Sequence, residues 1–160
     1  MRVVFTLNGQ QTEIDTEPSD LLVDVLRLRL GLRGARPGCL QGQCGSCSVL
    51  FDGLLAPSCL VPAFRVHGAD VVTIEGLMQS RGYEDIERGL ARAGAQPCRF
   101  CAAGRMLSVY SLLETDADPS DRAVRDTVSS VWCRCTTHER LAKGIRYAAE
   151  YRRRRHGRGG

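Results

Sequence analysis

The chain has no long apolar run. No stretch approaches the ~18 consecutive apolar residues of a membrane-crossing helix, so direct membrane insertion is not expected. The opening Met1-Arg2-Val3-Val4-Phe5-Thr6-Leu7 shows neither the apolar segment nor the cleavage site of a secretory signal. Aromatic residues make up only 6%, and no basic face interleaves with them, which argues against nucleic-acid binding. Histidine is scarcer still. His67, His138 and His156 lie away from any Cys pair as a Rieske centre would need them, and none is given a role. There is no internal repeat and no low-complexity segment before the C-terminus. The formal charge is +4, but Arg152, Arg153, Arg154, Arg155 and Arg158 sit in the last nine residues, so the remainder is close to neutral. That basic tail, residues 152–160, reads as a frayed, solvated terminus or an arm on an acidic partner rather than a nucleic-acid contact.

Cysteine, by contrast, is abundant: eight in 160 residues. A disulfide framework needs an oxidising compartment, and nothing at the N-terminus points to export, so the thiols are expected to be metal ligands in a reducing cytoplasm. Four fall in one pattern. Cys39, Cys44 and Cys47 are spaced C-x4-C-x2-C, and Cys59 follows, which is the plant-type spacing for a [2Fe-2S] cluster. Gly38, Gly42 and Gly45 lie beside these ligands, where a residue without Cβ lets backbone N–H groups turn toward the sulfurs.

Around this loop the pattern is mixed. Val3, Phe5 and Leu7 alternate, Asn8-Gly9 supplies a two-residue turn and Thr12-Glu13-Ile14 resumes, which predicts a β-hairpin. After Pro18, Ser19 or Asp20 can cap a helix through Leu22, Val25 and Leu26, with Gly31 as its stop. Ser48–Phe51 reads as a strand, Asp52-Gly53 as a tight turn, Leu54 to Leu60 as a return strand carrying Cys59, and Val71 to Ile74 as another. Beyond residue 75 helical spacing takes over. Helices are predicted over Glu84 to Arg92 and Met106 to Leu113, then from a start at Asp118-Pro119, then from a capping box Thr136-x-x-Glu139. The expected fold class is α+β: about 75 residues of small mixed sheet with one helix across it, then a bundle of four short helices.

The other four thiols lie in the helical half. Cys98-x2-Cys101 puts two within one turn, with Cys101 near a helix N-terminus whose dipole favours a thiolate. In Cys133-Arg134-Cys135 an extended segment points both thiols to one side and Arg134 away. Read alone, this second set suits structural zinc as well as an iron–sulfur cluster. Dithiol redox chemistry is disfavoured, because each C-x2-C pair sits within a set of four.

The ordered series Leu7-Asn8-Gly9, Leu26-Arg27, Gly31-Leu32, Gly38 to Cys47, Cys59-Leu60, Thr73 to Leu77, Cys98-x2-Cys101 and Cys133-Arg134-Cys135-Thr136 resembles the small iron–sulfur subunit of the molybdenum hydroxylases, the xanthine dehydrogenase and aldehyde oxidase group. The resemblance spans nearly the whole chain. It implies a β-grasp, plant-type ferredoxin-like domain over residues 1–75 and a helical four-helix-bundle [2Fe-2S] domain over 76–151. It implies Cys39, Cys44, Cys47 and Cys59 on one cluster, nearer the flavin, and Cys98, Cys101, Cys133 and Cys135 on the other, nearer the pterin. It also implies a large molybdopterin-binding subunit, a medium subunit that binds FAD, and a hetero-oligomer of the dimer-of-heterotrimers kind. The role so implied is electron transfer, relaying single electrons from the molybdenum centre to FAD or another acceptor, with no catalytic residue of its own. Three places depart from the family pattern: Pro97 stands where Gln usually precedes the first Cys, Ala102-Ala103-Gly104 replaces Thr-Pro-Gly, and Thr136-Thr137-His138 replaces Thr-Gly-Tyr. Gln96, one residue earlier, is then the candidate pterin contact. The competing readings are a free-standing two-cluster ferredoxin serving another oxidoreductase and a zinc-stapled interaction module.

Overall fold

The computed structural model describes residues 1–158; Gly159 and Gly160, the end of the basic tail, lie outside that range. Five strands, β1 (Arg2–Leu7), β2 (Gln10–Asp15), β3 (Ser48–Phe51), β4 (Leu54–Pro57) and β5 (Asp70–Val72), form one mixed sheet in the order β2-β1-β5-β3-β4. The hairpin turns carry the backbone their sequences demand. Asn8 and Gly9 have φ of 51° and 79°, Asp52 and Gly53 of 48° and 80°, as primed two-residue turns require. β1 runs parallel to β5 and β3 antiparallel to it, pairings of distant segments that no local periodicity encodes.

The sheet is covered on both faces, and β3 shows why. Successive strand residues point to opposite sides. Val49 joins Phe5, Leu22, Leu26 and Val71 in one core, while its neighbour Leu50 joins Ile86, Leu107, Val124 and Ile145 in another. The first core is closed by α1 (Leu22–Asp24) and the π-helical turn Val25–Arg29 that continues it. The second is built by α2 (Ile74–Leu77), α3 (Arg81–Arg92), α4 (Ala102–Thr115), α5 (Asp121–Ser129) and α6 (His138–Gly157), with α4 laid on β3 and β4. The architecture is therefore α+β, as expected. Among the described residues, no helix is long and apolar enough to cross a membrane.

Several local expectations are corrected. The helix before the cysteine loop is capped by neither Ser19 nor Asp20: Leu21 is its N-cap, and the Asp20 carboxylate accepts from the Glu17 N–H and from Arg29. Cys59 sits on a 3-10 turn, Ser58–Leu60, because β4 stops at Pro57, which has no N–H to extend the ladder. β5 ends at Val72, and Ile74 opens α2. α5 is capped by Ser120, whose hydroxyl accepts from the Ala123 N–H, rather than by Asp118. α6 is capped one residue late, by Thr137 accepting from the Arg140 N–H at 3.2 Å. The tail is not frayed through Gly157. α6 continues, and Arg152 pairs with Glu114, Arg153 with Asp118 and Arg155 with the buried Asp85, so the chain's own acids take the place of an acidic partner.

Candidate metal centres

The loop from Gly38 to Cys47 joins the α1 segment to β3, and its backbone is shaped to turn N–H groups inward. Leu40, Gly42 and Gly45 all have positive φ. The N–H groups of Gln41, Gln43 and Cys44 reach the Cys39 Sγ at 3.4, 3.2 and 3.4 Å. These donors, Gln41 foremost, hold the Cys39 thiol down at about 6, the direction expected when hydrogen bonds favour the thiolate. Cys44 Sγ also lies 3.0 Å from the Ser46 hydroxyl, which in turn donates to the Arg36 carbonyl. Cys59 is 2% exposed, and burial pushes its thiol up to about 11, with Cys47 beside it in hydrogen-bonding reach. Cys44 lies within hydrogen-bonding reach of Cys39 and Cys47 within reach of Cys59, and Cys59 also feels Cys39.

In the second set Cys101 stands beside Cys133, and Cys98 beside both Cys135 and Cys101. Cys101 is the N-cap of α4, but the dipole does not win there. At 1% exposure, desolvation pushes its thiol up to about 12. Cys98 is the thiol that is lowered, chiefly by the Phe100 N–H and then by that of Cys101.

Six of these cysteines, two from the first set and four from the second, border one cavity of about 500 Å³. The two loops meet at its edge. The Trp132 N–H donates to the Cys44 carbonyl at 2.9 Å, joining the neighbour of Cys133 to a thiol-bearing residue of the first loop. Gly45 lies against the Ser130 carbonyl, where a Cβ would collide. Arg134, expected to face away from the thiols, instead helps line the cavity. Gln96 is exposed next to Pro97 and borders a separate, smaller recess with Tyr83 and Met106.

Arg105 escaped the sequence reading. Its side chain is fully buried, with Nη1 donating to the Thr127 and Val128 carbonyls at 3.1 and 2.9 Å and Nη2 to the Val131 carbonyl at 2.7 Å. Its Nε, also buried, has no partner. The signal that could have found it was a lone cation four residues after Cys101, at the head of the apolar run Met106 to Leu113.

Comparisons with known proteins give both halves a counterpart. A 2Fe-2S iron-sulfur cluster binding domain matches residues 5–65, and a [2Fe-2S] binding domain matches residues 73–146. A nicotinate dehydrogenase subunit of Pseudomonas putida is 34% identical over 151 residues, covering 94% of this chain and 96% of that one. The nicotinate dehydrogenase small FeS subunit of Eubacterium barkeri is 33% identical, covering 91% and 93%. The crystal structure of quinoline 2-oxidoreductase from Pseudomonas putida 86 superposes with a TM-score of 0.85 at 38% identity, covering 96% of each chain. With two 2Fe-2S domains in tandem, near-complete mutual coverage and the same fold, this chain belongs to the small [2Fe-2S] iron–sulfur subunits of the molybdenum hydroxylases.

Proposed function

We propose that this chain is the electron-relay subunit of a heteromeric molybdenum hydroxylase, with Cys39, Cys44, Cys47 and Cys59 holding one [2Fe-2S] cluster and Cys98, Cys101, Cys133 and Cys135 the other. In this reading residues 1–75 form a β-grasp, ferredoxin-like domain and residues 76–151 a four-helix cluster domain, whose last helix runs on through the basic segment to Gly157. The observation that carries it is that each set of four cysteines falls within one of the two matched 2Fe-2S domains. Structural zinc would also take four thiolates, but the 2Fe-2S domain matches over both halves favour a [2Fe-2S] cluster at each set.

A [2Fe-2S] cluster takes up and gives up one electron at a time. The chain's own residues set the conditions. Cys39 receives three backbone N–H groups, which spread the negative charge of its sulfur. Cys47, Cys59 and Cys101 are buried, so their side keeps water off. Cys98 and Cys135 are exposed, together with Phe100 and Trp132 at the cavity rim, and this open side suits a partner surface. The partners in this reading are a large molybdopterin subunit, where substrate chemistry belongs, and a medium FAD subunit, in a cytoplasmic complex. Gln96 is the residue we assign to the pterin side. Iron and sulfide assays with low-temperature EPR of the reduced protein test the reading: two distinct [2Fe-2S] signals are expected. A single signal, bound zinc, or purification without a molybdenum- and flavin-containing partner would overturn it.

A further inference from the structure

We propose that Arg105 is a positioning residue that sets the reduction potential of the centre held by Cys101 and Cys133, acting as a fixed, fully buried positive charge beside those two thiols. The inference rests on the cysteine assignment above and goes beyond it, because Arg105 is not a ligand. Its place is defined from both sides. Its backbone N–H donates to the Cys101 carbonyl at 2.9 Å in the first turn of α4. Its guanidinium donates to the Val131 carbonyl, two residues before Cys133, and to the Thr127 and Val128 carbonyls at the C-terminal end of α5. The side chain therefore spans the gap between the segments that carry the two thiols.

Burying a cation is costly, and structures retain one where it is paired or bonded. Here two carbonyls at the C-terminal end of α5, which carry the negative end of that helix's dipole, satisfy Nη1, and the Val131 carbonyl beyond the helix satisfies Nη2. They do not neutralise the charge. Cys101 and Cys133 lie within its electrostatic reach, and among the described residues no carboxylate forms a salt bridge with it. With a 0% exposed side chain, its field on them is screened little by solvent.

The sign follows from charge balance. Reduction adds one electron to the centre, breaks no protein bond, and leaves Arg105 protonated throughout, so the site becomes more negative by one charge. A neighbouring positive charge stabilises the reduced form more than the oxidised one and raises the potential. Electrons then move more readily onto the centre from a donor of fixed potential.

The test is an EPR-monitored redox titration of the intact protein carrying both clusters. In Arg105→Met, similar in size and neutral, the signal that Cys133→Ser abolishes should titrate lower. The reduced-to-oxidised ratio at a fixed poise should fall about tenfold, about 59 mV for a one-electron couple. The other signal should stay put as an internal reference, and Arg105→Lys should remain near the parent. Unchanged potentials in Arg105→Met would overturn the proposal. Should Arg105→Met lose the signal outright, Arg105→Gln keeps a donor for the Val131 carbonyl without the charge. A lowered potential there supports the role, whereas loss in both neutral variants assigns Arg105 to holding the loops and overturns it. Absence of both signals in the parent would instead strike at the cysteine assignment itself.

Discussion

At the scale of single residues, the cysteines were legible and their surroundings were not. Thiol spacing is written in the chain, because ligands must be close along it to wrap a small centre. What each thiol feels depends on distant segments. Cys101 reads in sequence as a helix-end thiolate, but its 1% exposure arises from packing that the sequence does not display. The burial of Arg105 was hidden for the same reason, since the carbonyls that receive it come from residues 127 to 131. The grouping of the thiols into two sets makes a residue-scale prediction. Cys101→Ser should remove one EPR signal and about half the iron while leaving the other signal intact, because Cys101 pairs with Cys133 and not with any thiol of the first set. Equal loss of both signals would refute independent sites.

At the scale of elements, the pattern located nearly every helix and strand but misplaced their ends. Caps depend on which side chain bends back to a free N–H, and neighbouring candidates compete. Thr136 and Thr137 illustrate this. The first has the sequence of a capping box, the second makes the bond, and the Thr136 hydroxyl is left buried and unpaired. Thr137→Ala should cost about 1 kcal/mol of stability, read by denaturant unfolding. The contact of α3 with α6 was not legible at all, because it depends on two small residues 55 positions apart in the chain, Gly89 and Gly144, that let the backbones close up. A methyl group on Gly89 would lie 2.5 Å from the Ala148 N and 2.6 Å from the Gly144 O, and backbone cannot step aside cheaply. Gly89→Ala should therefore destabilise by about 1–3 kcal/mol. In the melting curve that is a fall of several degrees, with the first set's EPR signal retained in the folded protein.

At the scale of the whole molecule, sequence periodicity separates a strand-rich half from a helical one but says nothing of how they share a core. β3 is common to both. Leu50, with Leu55 and Val72 packed nearby, belongs with the helices, while Val49 belongs with the hairpin and α1. Residues 1 to 75 made alone would expose that second face, so the fragment should bind a hydrophobic dye and aggregate where the full chain does not. A soluble, dye-silent fragment would show that the halves are energetically separate. The bond from the Trp132 N–H to the Cys44 carbonyl has a consequence of another kind. Tunnelling slows steeply as a gap widens, so a conductor jointed by a hinge would have an erratic tempo. With the two loops joined at that bond, centres held at the two sets would keep a narrower spread of separations, and so of transfer times, than centres on loops free of each other.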